Sequence, residues 1–363
     1  MKRKVFNVKK FIVFIFVLCA MVLGVLVGSY FYIINAHGKS DDTVSIVINS
    51  GDTYNTIADK LKSEGLIKST LCYKIYIKLN KPKDLTYGKY ELKKSYNLNE
   101  LISTFEKGGQ NTSEIKKITF VEGKNMRYVI SKLTENFSFS EKEILTKLSD
   151  SSYLDTLINK YWFLTDEIKN KDIYYSLEGY LYPDTYEFYS TASLEDIFGS
   201  MLNNMDKKLT PYKSEIETSK YTIHQMLTLA SIVELEAGTS NDRKGVSGVF
   251  YNRLNNKWSL GSDVTTYYAE KLDNWSVDLK VSQLNKCNAY NTRSTCMNGK
   301  LPVSPVCNPG IDSIVASIEP TKHKYYYFVA DKNGKTYFNE TDSGHVKTVN
   351  KLKSEGLWIE YQN

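Results

Sequence analysis

The chain has 363 residues, a formal charge of +6, five cysteines and four histidines. Five of its positive charges, Lys2, Arg3, Lys4, Lys9 and Lys10, stand in the first ten residues; without them the balance is +1. A nearly neutral remainder gives no electrostatic case for nucleic acid, and four histidines without a Cys-x-x-Cys pair give none for a metal site or a cofactor.

Residues 1–10 carry those cations and no acid. From Phe11 to Ile34 no residue is charged. A helix of that length spans roughly 36 Å, enough for a ~30 Å hydrocarbon core with some tilt. Tyr30 and Tyr32 suit the far interface, and the basic flank is expected to stay in the cytoplasm, which puts the bulk of the chain outside. A cleaved signal peptide fits less well, because the apolar stretch is long and ends in bulky Tyr30 to Ile34. A lipoprotein signal would want a small residue before Cys19, where Leu18 stands.

Residues 35–43 read as a polar linker. Then Val44–Ile48 is strand-like, and Asn49 to Asp52 is a turn. Ile57, Ala58, Leu61 and Leu66 recur at helical spacing, with Gly65 placed to end the helix. Tyr73–Leu79 is a second helix, with Cys72 expected in the core. Gly88–Leu92 is a strand, and Leu98–Phe105 a helix closed by Gly108 and Gly109. A strand over Ile115–Val121, a turn at Glu122-Gly123-Lys124 and a helix through Tyr128–Leu133 repeat this outline. Residues 135–175 look helical and polar.

From about Ser176 the texture changes, with dense Gly, Pro and aromatics between apolar segments. Such irregular stretches are where sites are usually built. A polar helix is expected over 191–219. Cys287, Cys296 and Cys307 cluster in a segment expected outside the cell, where disulfides persist. Two arrangements stay open: one bridge with a thiol left over, or three free thiols.

In YTIHQMLTLASIVELEAG, residues Met226, Leu229, Ala230, Val233 and Ala237 fall on one helical face. Glu234 sits at the edge of that stripe, and Glu236 is ~200° around the helix from it. A Glu with an ordinary pKa of ~4.3 is only about 0.2% protonated at neutral pH, so a general acid needs partial burial. On this helix alone, two surface glutamates would explain the pattern as well.

The segments around that helix resemble one family. LEGYLYPDTYEF, LASIVELEAG, GVFYNRL, LGSDVTTYY, YNT, LPVSPVCNPGIDSIVASIEP and YYYFVADKNGKTYFNETDSGH are similar, in order, to the MltG (YceG-like) endolytic murein transglycosylases. INSGDTYNTIADKLKSEGLI with YGKYEL resembles the family's LysM-like module, and TFVEGKNMRYV its next strand-turn-helix unit. Departures are Val264 in Asp263-Val264-Thr265, where the family has Pro; Arg293 after Tyr290-Asn291-Thr292, where it has Tyr; and Lys300-Leu301-Pro302, after an inserted-looking 294–299.

The resemblance implies an α+β chain: a transmembrane helix (11–34), a LysM-like module (44–110), a second small α/β and helical unit (111–175) and a mixed α/β catalytic domain (176–363). It implies cleavage of the β-1,4 bond between N-acetylmuramic acid and N-acetylglucosamine without water. Peptidoglycan glycan strands would be the substrate, the cytoplasmic membrane the site of anchorage, and cell-wall synthesis proteins further partners. Glu234 would be the acid/base, with Glu236 in reserve. No second carboxylate for a two-carboxylate hydrolase is identifiable from the sequence. Asn252, Arg253, Asp263, Thr265, Tyr290, Asn291 and Thr292 are the expected substrate contacts. Capping, surface ion pairing and loop-internal bonding are the structural alternatives for them. Glu178 reads equally as a turn anchor or a sugar contact, and His345 as structural. The LysM-like module either binds glycan or serves as a spacer. A non-catalytic peptidoglycan-binding scaffold and a water-using muramidase are the competing functions.

Overall fold

The structure is a computed structural model that describes residues 8–35, 42–49, 51–83, 85–109 and 115–358. Residues 1–7 of the expected basic tail and 36–41 of the expected linker lie outside these. The chain divides into two compact units, residues 1–114 and 115–363. The architecture is mixed α and β, with three two-stranded antiparallel sheets among the described residues.

In the first unit, helix α1 (Val8–Ile34) is the one described helix long and apolar enough to cross a membrane, a requirement that a signal sequence also meets. Most of its described side chains, such as Phe14, Phe16, Leu23 and Phe31, are exposed, and Ile34 at its end is half-buried. Strand β1 (Thr43–Ile48) pairs with β2 (Gly88–Lys93), Ile46 opposite Tyr90. Helices α2 (Ala58–Ser63) and α3 (Thr70–Asn80) lie between the strands in sequence, and α4 (Leu98–Lys107) follows. Asn97 and Glu100 form a capping box on α4, two otherwise orphaned N–H groups being satisfied reciprocally. Ile46, Leu61, Tyr73, Tyr90, Leu101 and Phe105 make this unit's own core. Cys72, expected in that core, is only half-buried in the first turn of α3.

In the second unit, β3 (Ile115–Thr119) pairs with β4 (Thr185–Tyr189), Ile118 opposite Tyr186. Between them come α5 (Met126–Asn136), α6 (Glu141–Ser149) and α7 (Ser151–Lys160), each capped by the side chain before it: Asn125, Ser140 and Asp150. The polar helix expected over 191–219 is two pieces, α8 (Leu194–Leu209) and α9 (Lys213–Thr218), joined at Pro211. Helix α8 is not polar throughout: Ile197, Phe198, Met201, Leu202 and Met205 join one large core with residues of α5, α7 and β4. Proline, lacking an N–H, ends α8 here.

Helix α10 (Ile223–Glu236) is the central element. The sequence suggests one apolar stripe, yet residues 226–233 are buried on every side. A helix buried all round is covered on more than one face. The cover comes from α11 (Arg243–Asn255), α12 (Asp263–Ala269) and α14 (Ile311–Ile318), with the short α13 (Val281–Asn285) beyond. A hairpin, β5 (Tyr327–Ala330) and β6 (Thr336–Asn339), and α15 (Asp342–Ser354) complete the unit.

Phe188 is fully buried and packs its ring 5.7 Å from Tyr186 and 6.2 Å from Phe137, so β4 is pinned into the core. Phe188→Ala is expected to cost about 3–5 kcal/mol, as other large-to-small core changes do, measurable by urea unfolding.

Candidate active site

Helix α10 ends in two carboxylates, at the end where the helix dipole disfavours negative charge. Each is met by partners from other elements. Glu234 Oε1 accepts from Arg243 Nη2 at 2.9 Å, and Oε2 accepts the backbone N–H of Gly310 at 3.0 Å. Its side chain is 6% exposed and that of Arg243 13%. Arg243 also donates to Ser240 Oγ and pairs with Asp312 at 3.4 Å. Gly310 is the cap of α14, whose dipole there favours an anion.

Glu236 points elsewhere. Its Oε1 accepts from Ser262 Oγ at 2.6 Å, and burial pushes its carboxyl above the usual range. Ser262, Arg253 and Arg293 oppose that rise, and Asp263 adds to it. The two glutamates thus serve different neighbourhoods, as their angular separation on the helix requires.

A cleft of about 690 Å³ opens at Glu234, lined also by Glu122, Asn125, Arg127, Tyr128 and Trp275. Arg127 is fixed by Asp273, with Nε and Nη2 bonds of 3.0 and 2.6 Å. Asn125 donates to the same carboxylate at 2.7 Å. Trp275 is 48% exposed.

A strap, residues 304–310, holds this wall together. The Val306 N–H donates to Ser231 Oγ of α10, and Asn308 exchanges backbone bonds with Gly123 and Lys124. Asn308 Oδ1 accepts from the N–H groups of Gly179 and Leu181. Gly179 has φ +83°, and a Cβ on it would lie 2.3 Å from Pro305, so only glycine fits against the strap.

The expected substrate contacts lie outside the lining of this cleft and bond to other parts of the protein. Thr265 and Thr292 are fully buried, bonded to each other at 2.8 Å and anchored at Ser262. Asn291 is buried, with Nδ2 donating to the carbonyls of Gln283, Leu284 and Lys286. The buried Tyr290 hydroxyl accepts from the Tyr174 N–H and shares a bond with Ser304. Asn252 holds the carbonyls of His323 and Tyr325; Arg253 holds those of Tyr326 and Leu260. Asp263 is exposed and pairs with Arg293 at 3.3 Å. None of the seven lines the Glu234 cleft. Loop residues that satisfy buried backbone groups look, in sequence, like ligands, since both tasks use the same polar side chains.

Sequence reasoning missed Arg243, Gly310, Glu122, Arg127 and Trp275. Their only signal is residue type, because Arg243 and Gly310 reach Glu234, and Glu122, Arg127 and Trp275 reach its cleft, from stretches far apart in sequence. Among the cysteines, Cys287 and Cys296 are bridged, with Cα atoms 5.9 Å apart, and Cys307 is a buried free thiol. Among the described residues, no group of His, Cys, Asp and Glu is placed to hold a metal ion.

Glu178 is an anchor. Fully buried, its Oε2 accepts from the Met126 N–H and the Tyr268 hydroxyl, both at 2.9 Å. Burial pushes its carboxyl up to about 7.

The YceG-like family model matches residues 46–351. The endolytic murein transglycosylase of Bacillus subtilis is 33% identical over 317 residues, which are 87% of this chain and 86% of that protein. That of Streptococcus pneumoniae strain D39 is 31% identical over 361 residues, 94% of this chain but 65% of the longer pneumococcal protein. The 2.6 Å crystal structure of a YceG-like protein from Listeria monocytogenes superposes with a TM-score of 0.59 at 30% identity, covering 85% of this chain and all of that one.

Folded Glu178 keeps a proton that the unfolded chain releases at the ordinary carboxylate value. This stabilisation is complete below the unfolded pKa and is lost as pH rises through about 7. Urea unfolding is therefore expected to show wild type losing roughly 2–3 kcal/mol between about pH 5 and 8, and Glu178→Gln losing much less over the same window.

Proposed function

The chain belongs to the YceG-like family, and on that premise we propose that it is an endolytic murein transglycosylase with Glu234 as its acid/base. One observation carries the residue assignment: Glu234 stands in the 690 Å³ cleft with one oxygen on Arg243 and the other on the Gly310 N–H.

In this reading a muramoyl-glucosaminyl bond of a peptidoglycan strand lies in the cleft. Glu234 gives its proton to the glycosidic oxygen as the C1–O4 bond breaks. Arg243 and the Gly310 N–H then hold the carboxylate that remains, preorganised charge stabilisation in a site of low exposure. The C6 hydroxyl of the muramoyl ring closes on C1 and returns a proton to Glu234, leaving a 1,6-anhydro end. One carboxyl in two successive roles suffices. Asp273, the other cleft carboxylate besides Glu122, has its oxygens engaged by Arg127 and Asn125. That speaks against Asp273 as a nucleophilic partner of the kind retaining hydrolases use. Trp275 offers a half-exposed ring face for a sugar, and Arg127 and Asn125 offer polar edges.

The remaining architecture takes its meaning from this activity. Residues 11–34 are a single-pass anchor with the N-terminus in the cytoplasm. Residues 44–110 are a LysM-like module, 111–175 a second unit and 176–363 the catalytic domain. The anchor holds the cleft near the membrane, where new glycan strands emerge, and cell-wall synthesis proteins are the natural neighbours. An anchorless chain is expected to cut glycan in vitro and to fail in a cell that lacks the native protein; growth rescue by a freely secreted form would overturn the tether.

Mass spectrometry of digests of uncrosslinked glycan strands tests the reaction. Wild type is expected to leave anhydro ends, and Glu234→Gln to lose at least about 100-fold in rate while still binding strands, the range for a removed general acid. Reducing ends would show hydrolysis, and no cleavage a scaffold. If Glu236→Gln alone is inactive, the acid has been misassigned.

A further inference from the structure

Helix α3 of the first unit buries one face and leaves another uncovered. Tyr73 and Tyr76 face the unit's core. Leu71, Ile75 and Leu79 face away from it, 67%, 47% and 70% exposed. They recur every fourth residue, so they line one stripe ~12 Å long. Lys74 and Lys78, also exposed, run beside the stripe. Residues 65–83 hold five lysines, Lys68, Lys74, Lys78, Lys81 and Lys83, and no acid. An exposed apolar stripe with a polar rim marks a surface that meets something.

The start of α3 lies against the end of α1. Lys68 Nζ stands 4.2 Å from the centre of the Tyr32 ring and donates to the Tyr32 carbonyl at 3.2 Å. Tyr32, Ser69, Cys72 and Leu98 share the wall of one small cavity. Ile34 packs on the same core as Tyr73 and Tyr76. A tyrosine at the end of a membrane-crossing helix sits at the level of the lipid headgroups. Leu71 follows Lys68 by less than one helical turn, so the stripe begins at that level.

We propose that the uncovered face of α3 is a lipid-binding surface, with Leu71, Ile75 and Leu79 in the bilayer interface and the lysines on anionic headgroups. The inference rests on the reading of α1 as a retained anchor and is independent of the transglycosylase reading. Interfacial helices join these two contributions, an apolar stripe for the acyl boundary and a basic edge for anionic lipid. Each lysine can lay its methylenes along the stripe and keep its ammonium in the polar layer. A second copy of the chain is a poorer occupant. A two-fold contact through this face would set the same lysines against each other.

The test uses the full chain reconstituted in vesicles of phosphatidylglycerol and phosphatidylcholine. Leu79→Trp puts a reporter on the stripe. The native Trp162, Trp258, Trp275 and Trp358 all belong to the second unit and give the background. The added emission is expected to fall roughly twofold when the phosphatidylcholine chains are brominated, as for a ring ~5–10 Å deep in the interface. Adding Ile75→Gln, Lys74→Gln and Lys78→Gln is expected to restore most of it. Circular dichroism checks folding, and Leu71→Trp is the reporter if Leu79→Trp is misfolded. Emission that bromination leaves unchanged overturns the lipid surface. So does quenching that the glutamine changes leave intact, because α1 alone would then hold the ring there. Blue-shifted emission without quenching, growing with the ratio of protein to lipid, would show a second copy and overturn it equally. A chain that does not float with the vesicles overturns the anchor and this inference together, and none of these outcomes bears on Glu234.

Discussion

The hydrogen bond from the Gly310 N–H to Glu234 is the contact on which the site depends. A carboxylate at the C-terminal end of a buried helix is unfavourable twice, through lost hydration and through the dipole behind it. Glu234 is tolerated because the start of α14 and the guanidinium of Arg243 meet it from outside α10. The setting of this carboxylate is therefore created by three helices together, and no one of them would hold it alone.

The strap at 304–310 makes that meeting reproducible. Ser231, buried in α10, bonds the Val306 N–H; Asn308 bonds the turns at Gly123–Lys124 and Gly179–Leu181; Gly310 follows two residues later. Each bond satisfies a buried backbone group that would otherwise cost free energy. The same network brings Glu122 and Arg127 from the β3–α5 segment to the cleft, so the segment before α5 and the helices after α8 build one wall.

A second polar network lies on the other side of α10, from Glu236 through Ser262 and Thr265 to Thr292, with Thr266 donating to Asn291 beside it. Its residues are enclosed and mutually bonded. The Cys287–Cys296 bridge closes the loop that carries Tyr290, Asn291 and Thr292. Arg253, expected to contact a sugar, fastens the Tyr326 and Leu260 carbonyls. Through the Ser262–Glu236 bond these residues tie the end of α10 to the loops beside it.

Read alone, the sequence determines what depends on local pattern. The uncharged run of α1, the strands β1 and β2, the capped helices and the divergent directions of Glu234 and Glu236 follow from charge, alternation and the helical period. Ordered motifs carry the family likeness and point to Glu234. Only the tertiary structure decides which polar residues face the cleft. Thr265, Asn291 and Thr292 turn inward to bond buried groups, while Arg243 and Gly310 bond Glu234 and Glu122 and Arg127 line the cleft beside it, from three distant segments. It also decides that α10 is covered on every side and that Cys287 pairs with Cys296 rather than Cys307. The reason is that a hydrogen-bonding side chain has the same chemistry whether it serves the backbone or a ligand, and only its position in the folded chain separates the two.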